Sequence, residues 1–258
     1  MIKRLFIILS LSLLAQHMHA QCSFRNTAIR GSEYISYNLY YNWQFVWVKA
    51  GTATMSTVET TYHGKKAFRT SLLTRGNGRL DDFFVLRDTL IGYVTTDMVP
   101  LYYRKGAREG NWYTVDEAYY SYPNGNCQVK LHRQNNDGTH SRETKAFSHC
   151  VYDMVNIFQR ARSFDPSNWK KGYEVPIDIT DGTKILKAKL KFTGKETVKG
   201  DNGKKYNCLK LSYYEYTDNK YKEIARFYVT NDSRHVPVRL DMFLKFGSAK
   251  AFLTNMKI

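Results

Sequence analysis

Apolar and polar residues alternate with a period of two along most of the chain, the signature of half-buried β-strands. The pattern is clearest near the C-terminus. Val236, Val238, Leu240, Met242 and Leu244 share one face, and Arg239, Asp241 and Lys245 share the other. Leu186, Ala188, Leu190 and Phe192 form a second apolar face, backed by Lys187, Lys189 and Lys191. Turn residues at Asn202-Gly203, Asp218-Asn219, Asn231-Asp232-Ser233 and Gly247-Ser248 divide Lys184–Lys257 into an antiparallel meander of about five strands. The N-terminal half predicts Tyr34–Tyr41, Gln44–Val48, Thr52–Tyr62, Lys65–Thr74, Leu90–Val94 and Leu101–Lys105. Tyr113–Tyr122, Cys127–Arg133 and Arg142–Ser148 follow, so the total is roughly a dozen strands, more than a flat open sheet usually holds. The expected fold is therefore all-β and mainly antiparallel, a curled half-barrel or bent sandwich.

Two segments leave this pattern. Asp153–Ser163 carries Met154, Ile157, Phe158 and Ala161 at helical spacing, with Asp153 placed to cap the N-terminus and Asp165-Pro166 to close the end. This long helix is expected on the concave face of the sheet, with Asp153 and Arg160 on one side of it fastening it there. A shorter helical segment is expected over Asp81–Arg87.

Residues 1–20 form a separate unit. Lys3 and Arg4 precede an apolar run from Leu5 to Ala15, and Met18-His19-Ala20 ends in a small residue, the order of a secretory signal peptide cleaved after Ala20. The run is too short to span a bilayer, and no transmembrane segment is expected in residues 21–258, which make one domain. Cys22 raises a lipoprotein reading, but His19-Ala20-Gln21 lacks the small residues such sites need, so a periplasmic or otherwise exported protein with a free N-terminus is expected.

Charge and cysteine content change the picture further. The chain has 39 Lys and Arg against 23 Asp and Glu, a formal +16. Behind a signal peptide that excess points to anionic envelope material rather than nucleic acid. Four cysteines, Cys22, Cys127, Cys150 and Cys208, allow three full pairings in an oxidising compartment. If the turn at Asp137-Gly138 centres a hairpin, facing residues sum to about 275, which brings Cys127 toward Cys150 and favours that disulfide. The same arithmetic sets His132 opposite Glu143 and His149 near Asn126, so the histidines do not converge and no metal site is expected.

Several short motifs occur in an order that resembles an exported bacterial family, domain of unknown function 3108. They are Lys49-Ala50-Gly51-Thr52-Ala53 after Trp43 and Trp47; Phe83-Phe84-Val85-Leu86-Arg87-Asp88; Val99-Pro100-Leu101-Tyr102-Tyr103; Glu109-Gly110; Tyr152-Asp153-Met154 with Arg160; and His235-Val236-Pro237-Val238-Arg239. The resemblance covers nearly all of the chain beyond the signal peptide. It implies an envelope protein whose β-rich sheet curls around a helix, and it implies no reaction.

No HExxH, GxSxG, CxxC or phosphate-binding loop is present, so the grounds for proposing an enzyme or a cofactor are thin. The 4 Trp, 20 Tyr and 14 Phe residues suit strands and a large core. They also suit a cavity between sheet and helix, lined by Trp43, Trp47, Phe83, Phe84 and Phe158, in which Phe83-Phe84 is a lid and Arg79 and Arg87 meet an anionic headgroup. The function expected first is non-catalytic binding of an apolar or amphiphilic, lipid-like molecule. The alternative is an interaction module for acidic glycan or an envelope protein, working through the basic strand faces around Lys187, Lys189 and Lys191. A hydrolase using a carboxylate pair drawn from Asp81, Asp82, Asp88, Glu109, Asp116 and Glu117 comes third.

Overall fold

The computed structural model describes residues 22–43, 46–78, 85–244 and 247–258. Among them fifteen strands form one sheet. They are β1 (Glu33–Trp43), β2 (Val46–Tyr62), β3 (Lys65–Gly76), β4 (Leu86–Thr95), β5 (Pro100–Glu109), β6 (Trp112–Ser121), β7 (Cys127–Gln134) and β8 (His140–Phe147) in the first half. After β9 (Val151–Tyr152) and helix α1 (Met154–Ala161) come β10 (Glu174–Asp181), β11 (Lys184–Lys199), β12 (Lys205–Thr217), β13 (Lys220–Thr230), β14 (Pro237–Phe243) and β15 (Ser248–Lys257).

The order across the sheet is β8 to β1 in reverse sequence, then β15 back to β9. Every neighbouring pair is antiparallel except β9–β10. The first and last long strands pair in the middle, and the two edges, β8 and β9, are adjacent in sequence. The sheet is thereby nearly closed. Side chains rather than a hydrogen-bond ladder bridge the seam. Ile185 of β11 packs against the buried cluster that contains Val129 and Leu131 of β7, and the space beside Gly182 is occupied by the Arg133 guanidinium.

The period-two pattern is what builds this barrel. Along β2, Ala53, Met55 and Thr57 are buried; along β11, Ala188, Leu190 and Phe192 are buried while Lys187 to Lys191 face out in alternation. A bulge follows Phe192 at Gly194, whose φ of +130° only glycine adopts readily. The predicted Gln44–Val48 and Thr52–Tyr62 strands are a single strand from Val46, because Gly51 continues the ladder opposite Gly76 rather than ending it. Leu86 and Arg87 lie in β4, not in a helix; the rest of the expected Asp81–Arg87 segment, up to residue 84, lies outside the described residues. Glu174–Asp181, absent from the predicted strands, is β10, with Ile177 and Ile179 buried.

Helix α1 starts where Asp153 caps it, Oδ1 accepting from the backbone N–H of Val155 at 3.1 Å and of Asn156 at 2.9 Å. The helix lies inside the curve of the sheet. Val155 and Asn156 press against Gly92 of β4, where a Cβ would stand 2.6 Å from Asn156 Oδ1 and 2.7 Å from Val155 Cγ1, so only glycine permits this approach. Gln159 Nε2 donates to Thr57 of β2 at 3.0 Å and to Thr70 of β3. Phe158 meets Phe227 of β13 with ring centres 6.2 Å apart, and Tyr120 of β6 donates to Asp153 Oδ2 at 3.0 Å. An eight-residue helix that touches both halves of the barrel is its plug. Met154, expected in the buried stripe, is instead 52% exposed at one mouth of the barrel.

Candidate functional site

The opposite mouth is closed by the chain that precedes β1. Cys22 forms a disulfide with Cys150, and both Cys22 and Cys127 are fully buried, Cys127 as a free thiol. This corrects the expected Cys127–Cys150 bond. In the β7–β8 hairpin Cys127 faces Phe147, so Cys150 lies three residues past the partner position, where the chain has left β8 and the N-terminal segment reaches it. The same pairing occupies the sulfur that lipidation of Cys22 would require. Cys208 is a buried free thiol.

From this anchor the chain runs beneath the helix. Phe24 N–H donates to the Asp97 carbonyl at 2.7 Å, and Thr27 N–H donates to Ser163 Oγ at 3.1 Å. Together with the loop between α1 and β10, this segment forms an open pocket of about 360 Å³, lined by Phe24, Tyr152, Ile157, Arg160, Phe164, Trp169, Tyr173, the exposed Asp165 and the first residues of β10. Its aromatic rings form a chain. Phe24 meets Phe164 edge-on at 5.5 Å, Phe164 meets Trp169 at 6.2 Å, and Trp169 stacks on Tyr173 at 5.0 Å. The loop conformation that places Trp169 is held by its N–H bonding the Pro166 carbonyl at 3.0 Å and by Tyr173 N–H bonding the Lys170 carbonyl at 2.9 Å.

Arg160 is the one cation in this lining. Its guanidinium carbon stands 4.3 Å from the centre of Phe24 and 5.2 Å from that of Tyr152, and Nη1 donates to the Cys22 carbonyl at 2.8 Å. Among the described residues no carboxylate lies within 4.0 Å of it. Burial pushes its pKa below the ordinary arginine value. Burial likewise raises the neighbouring Tyr152 phenol. A half-buried guanidinium walled by aromatic faces, with one backbone carbonyl as its hydrogen-bond partner, is electrostatically under-compensated and suited to an anion.

The described members of the predicted lining set are placed elsewhere. Phe158 packs in the barrel core. Trp47 is 40% exposed on β2, with Lys250 Nζ 4.1 Å from its ring. Trp43 ends β1 opposite Val46, and Arg87 is exposed on β4 opposite Arg75 and Arg108. Arg79, Phe83 and Phe84 lie outside the described residues. Of the two residues expected to fasten the helix to the sheet, Asp153 does so through Tyr120 of β6, whereas Arg160 holds the N-terminal segment at Phe24 and Cys22. The signal that would have found the pocket is Phe164, Trp169 and Tyr173 clustering in a loop, where no sheet face demands large rings.

The basic strand face is partly neutralised: Lys189 and Lys191 both pair with Glu174, at 2.9 and 3.1 Å. The histidines also differ from expectation. His132 faces Arg142, and its ring stacks on His140 at 5.1 Å, with Nε2 2.8 Å from His140 Nδ1 and Nδ1 2.9 Å from Glu117. Among the described residues no group of three His, Cys, Asp or Glu is arranged to hold a metal ion.

Comparison with known proteins agrees with this architecture. A family model, DUF3108, protein of unknown function, matches residues 36–254. Among solved structures, a β-barrel-like protein of domain of unknown function DUF1849 from Brucella abortus aligns with a TM-score of 0.57 at 12% identity, over 90% of this chain and 99% of that one. That likeness is one of fold. A protein from Bacteroides fragilis with a YmcC-like fold aligns at a TM-score of 0.38 and 11% identity, over 92% of this chain and 100% of that one. Among curated proteins none matches.

Proposed function

The chain belongs to the DUF3108 family, proteins of unknown function, and from the chemistry of its pocket we propose that it binds a small anionic amphiphile without transforming it. The observation that carries this reading is Arg160, half-buried between the Phe24 and Tyr152 rings with no ion pair among the described residues, the pocket's one carboxylate, Asp165, being exposed to solvent. An acyl or other apolar chain would lie along Phe164, Trp169 and Tyr173, and its anionic group would meet the guanidinium in a charge-assisted hydrogen bond. About 360 Å³ admits one short chain or the end of a longer one, not a whole multi-chain lipid.

Export to the envelope belongs to the same proposal. Its supports are the charged and apolar order of residues 1–20 and the Cys22–Cys150 disulfide, a bond that persists in oxidising compartments. Among the described residues no helix is long and apolar enough to cross a membrane.

Calorimetric titration with dodecanoate and with dodecanol tests the reading. Dodecanoate is expected to bind at one site, with dodecanol about tenfold weaker or more, as loss of one buried charge-assisted hydrogen bond requires. Arg160→Gln should remove the difference between the two, and Trp169→Ala should weaken both. Equal affinity for acid and alcohol in the unmutated protein contradicts the role given to Arg160.

A further inference from the structure

The mouth at the N-terminal end of α1 holds a second cavity, of about 250 Å³, with the opposite chemistry. It is lined from both halves of the barrel. Tyr103, Lys105 and Asp116 come from β5 and β6; Asp181 and Glu215 come from β10 and β12; Met154 forms the floor. The strand register shows why these residues meet. Asp116 sits opposite Lys105 on the face that also carries buried Ala118 and Tyr103, and Glu215 sits opposite buried Ala188. Asp181 follows Ile177 and Ile179 on the same side of β10, at the strand's exposed end.

Asp116 carries the argument beyond a group of acids. It is 8% accessible and lines the cavity, and its Oδ1 is buried without a hydrogen-bond donor. Arg133 Nη1 makes an ion pair with that oxygen at 3.6 Å, a distance too long for a hydrogen bond. A buried carboxylate oxygen with no donor is a costly arrangement unless something with an N–H fills the space beside it. Two cations, Lys105 and Arg133, stand against four lining acids, Asp116, Asp181, Glu215 and Glu117, the last held by Tyr102 and His132, which leaves the cavity acidic within a chain whose formal charge is +16.

We infer that this cavity is a binding site for a small organic cation bearing a protonated amine, seated between Asp116, Asp181 and Glu215. A metal ion does not suit it, because none of the acid groups among the described residues has metal-holding geometry. An ammonium supplies the N–H that Asp116 Oδ1 lacks. The alkyl part of such a ligand would lie against Tyr103 and Met154. Burial, with the charge of Asp181 added to it, raises the carboxyl pKa of both Asp116 and Glu215, and an ammonium beside them would offset this by favouring their charged forms. This site is independent of the aromatic pocket at the other mouth.

The test is calorimetric titration of the full chain with 1,4-diaminobutane at low ionic strength, with 1,4-butanediol as the uncharged control. One site for the diamine and none for the diol is expected. A chain this basic repels cations in general, so binding reports a local site. Asp116→Asn and, separately, Asp181→Asn should each weaken binding at least tenfold, while Arg160→Gln leaves it unchanged. Asp181 lies at the exposed end of β10, so its variant keeps the test available if Asp116→Asn fails to fold by circular dichroism. Absence of diamine binding to the unmutated chain overturns the inference. So does equal binding by both unmutated chain and Asp181→Asn.

Discussion

Arg162 and Glu33 form a two-pronged ion pair inside the barrel, Nη1 donating to Oε2 at 2.6 Å and Nη2 to Oε1 at 3.2 Å, with each side chain 2% exposed. Nε of Arg162 donates to the Arg234 carbonyl at 3.1 Å, and its own carbonyl is bound by His235 Nδ1 at 2.6 Å. The pair ties the end of α1 to the first strand and to the turn before β14. It closes the barrel around its plug.

Breaking a fully buried pair leaves a bare charge, which costs about 3–5 kcal/mol. Glu33→Gln and Arg162→Met should each lose stability on that scale in urea denaturation. The double variant should lose much less than their sum, because it leaves neither charge stranded. Additive losses would mean that the two residues do not act as a unit.

The Cys22–Cys150 bond spans 128 residues, and in the chain-entropy treatment closing such a loop is worth at most about 5 kcal/mol. Alkylation in denaturant without reductant should modify two thiols, Cys127 and Cys208, and four after reduction. Without denaturant both free thiols should resist modification, since both are buried and burial raises their pKa values. Labelling of Cys22 in the unreduced protein would contradict the pairing.

Asp88 supplies a pH dependence. Burial pushes its carboxyl from an ordinary 3.8 up to about 6, with the charge of Glu109 acting the same way, and its Oδ1 has no hydrogen-bond partner. The folded chain therefore holds this proton more tightly than the unfolded chain does. That contribution to stability is complete below about pH 4 and is lost as pH rises through 6. Asp88→Asn should be close to the unmutated protein in stability near pH 4. By about pH 8 it should be more stable by roughly 1–3 kcal/mol. A difference independent of pH would remove Asp88 as its source.

Much of the fold is legible in the sequence. Leu186 to Phe192 and Val236 to Met242 mark their strands because alternation is a local property, and Asp153 marks the helix start because capping is too. The hairpin arithmetic missed by one residue: Gln134 pairs with His140, so facing numbers sum to 274, which moves His132 off Glu143 and sets Cys150 three rather than two residues past the partner of Cys127. What stays hidden depends on closure of the barrel. Cys22 meets Cys150, Arg162 meets Glu33, and Phe24 meets Phe164 only after β1 has paired with β15 and the helix has entered the barrel. No spacing rule connects residues more than a hundred positions apart. The rings that form the pocket lie in the N-terminal segment and the loop after α1, where no strand pattern marks them.

Native mass spectrometry tests the central claim most directly, applied to the protein recovered from the envelope fraction of cells expressing the full chain. One anionic amphiphile per chain is predicted, released by organic extraction and missing from Arg160→Gln protein that still melts cooperatively. An unliganded mass for the unmutated protein, with no amphiphile in its extract, would contradict the account.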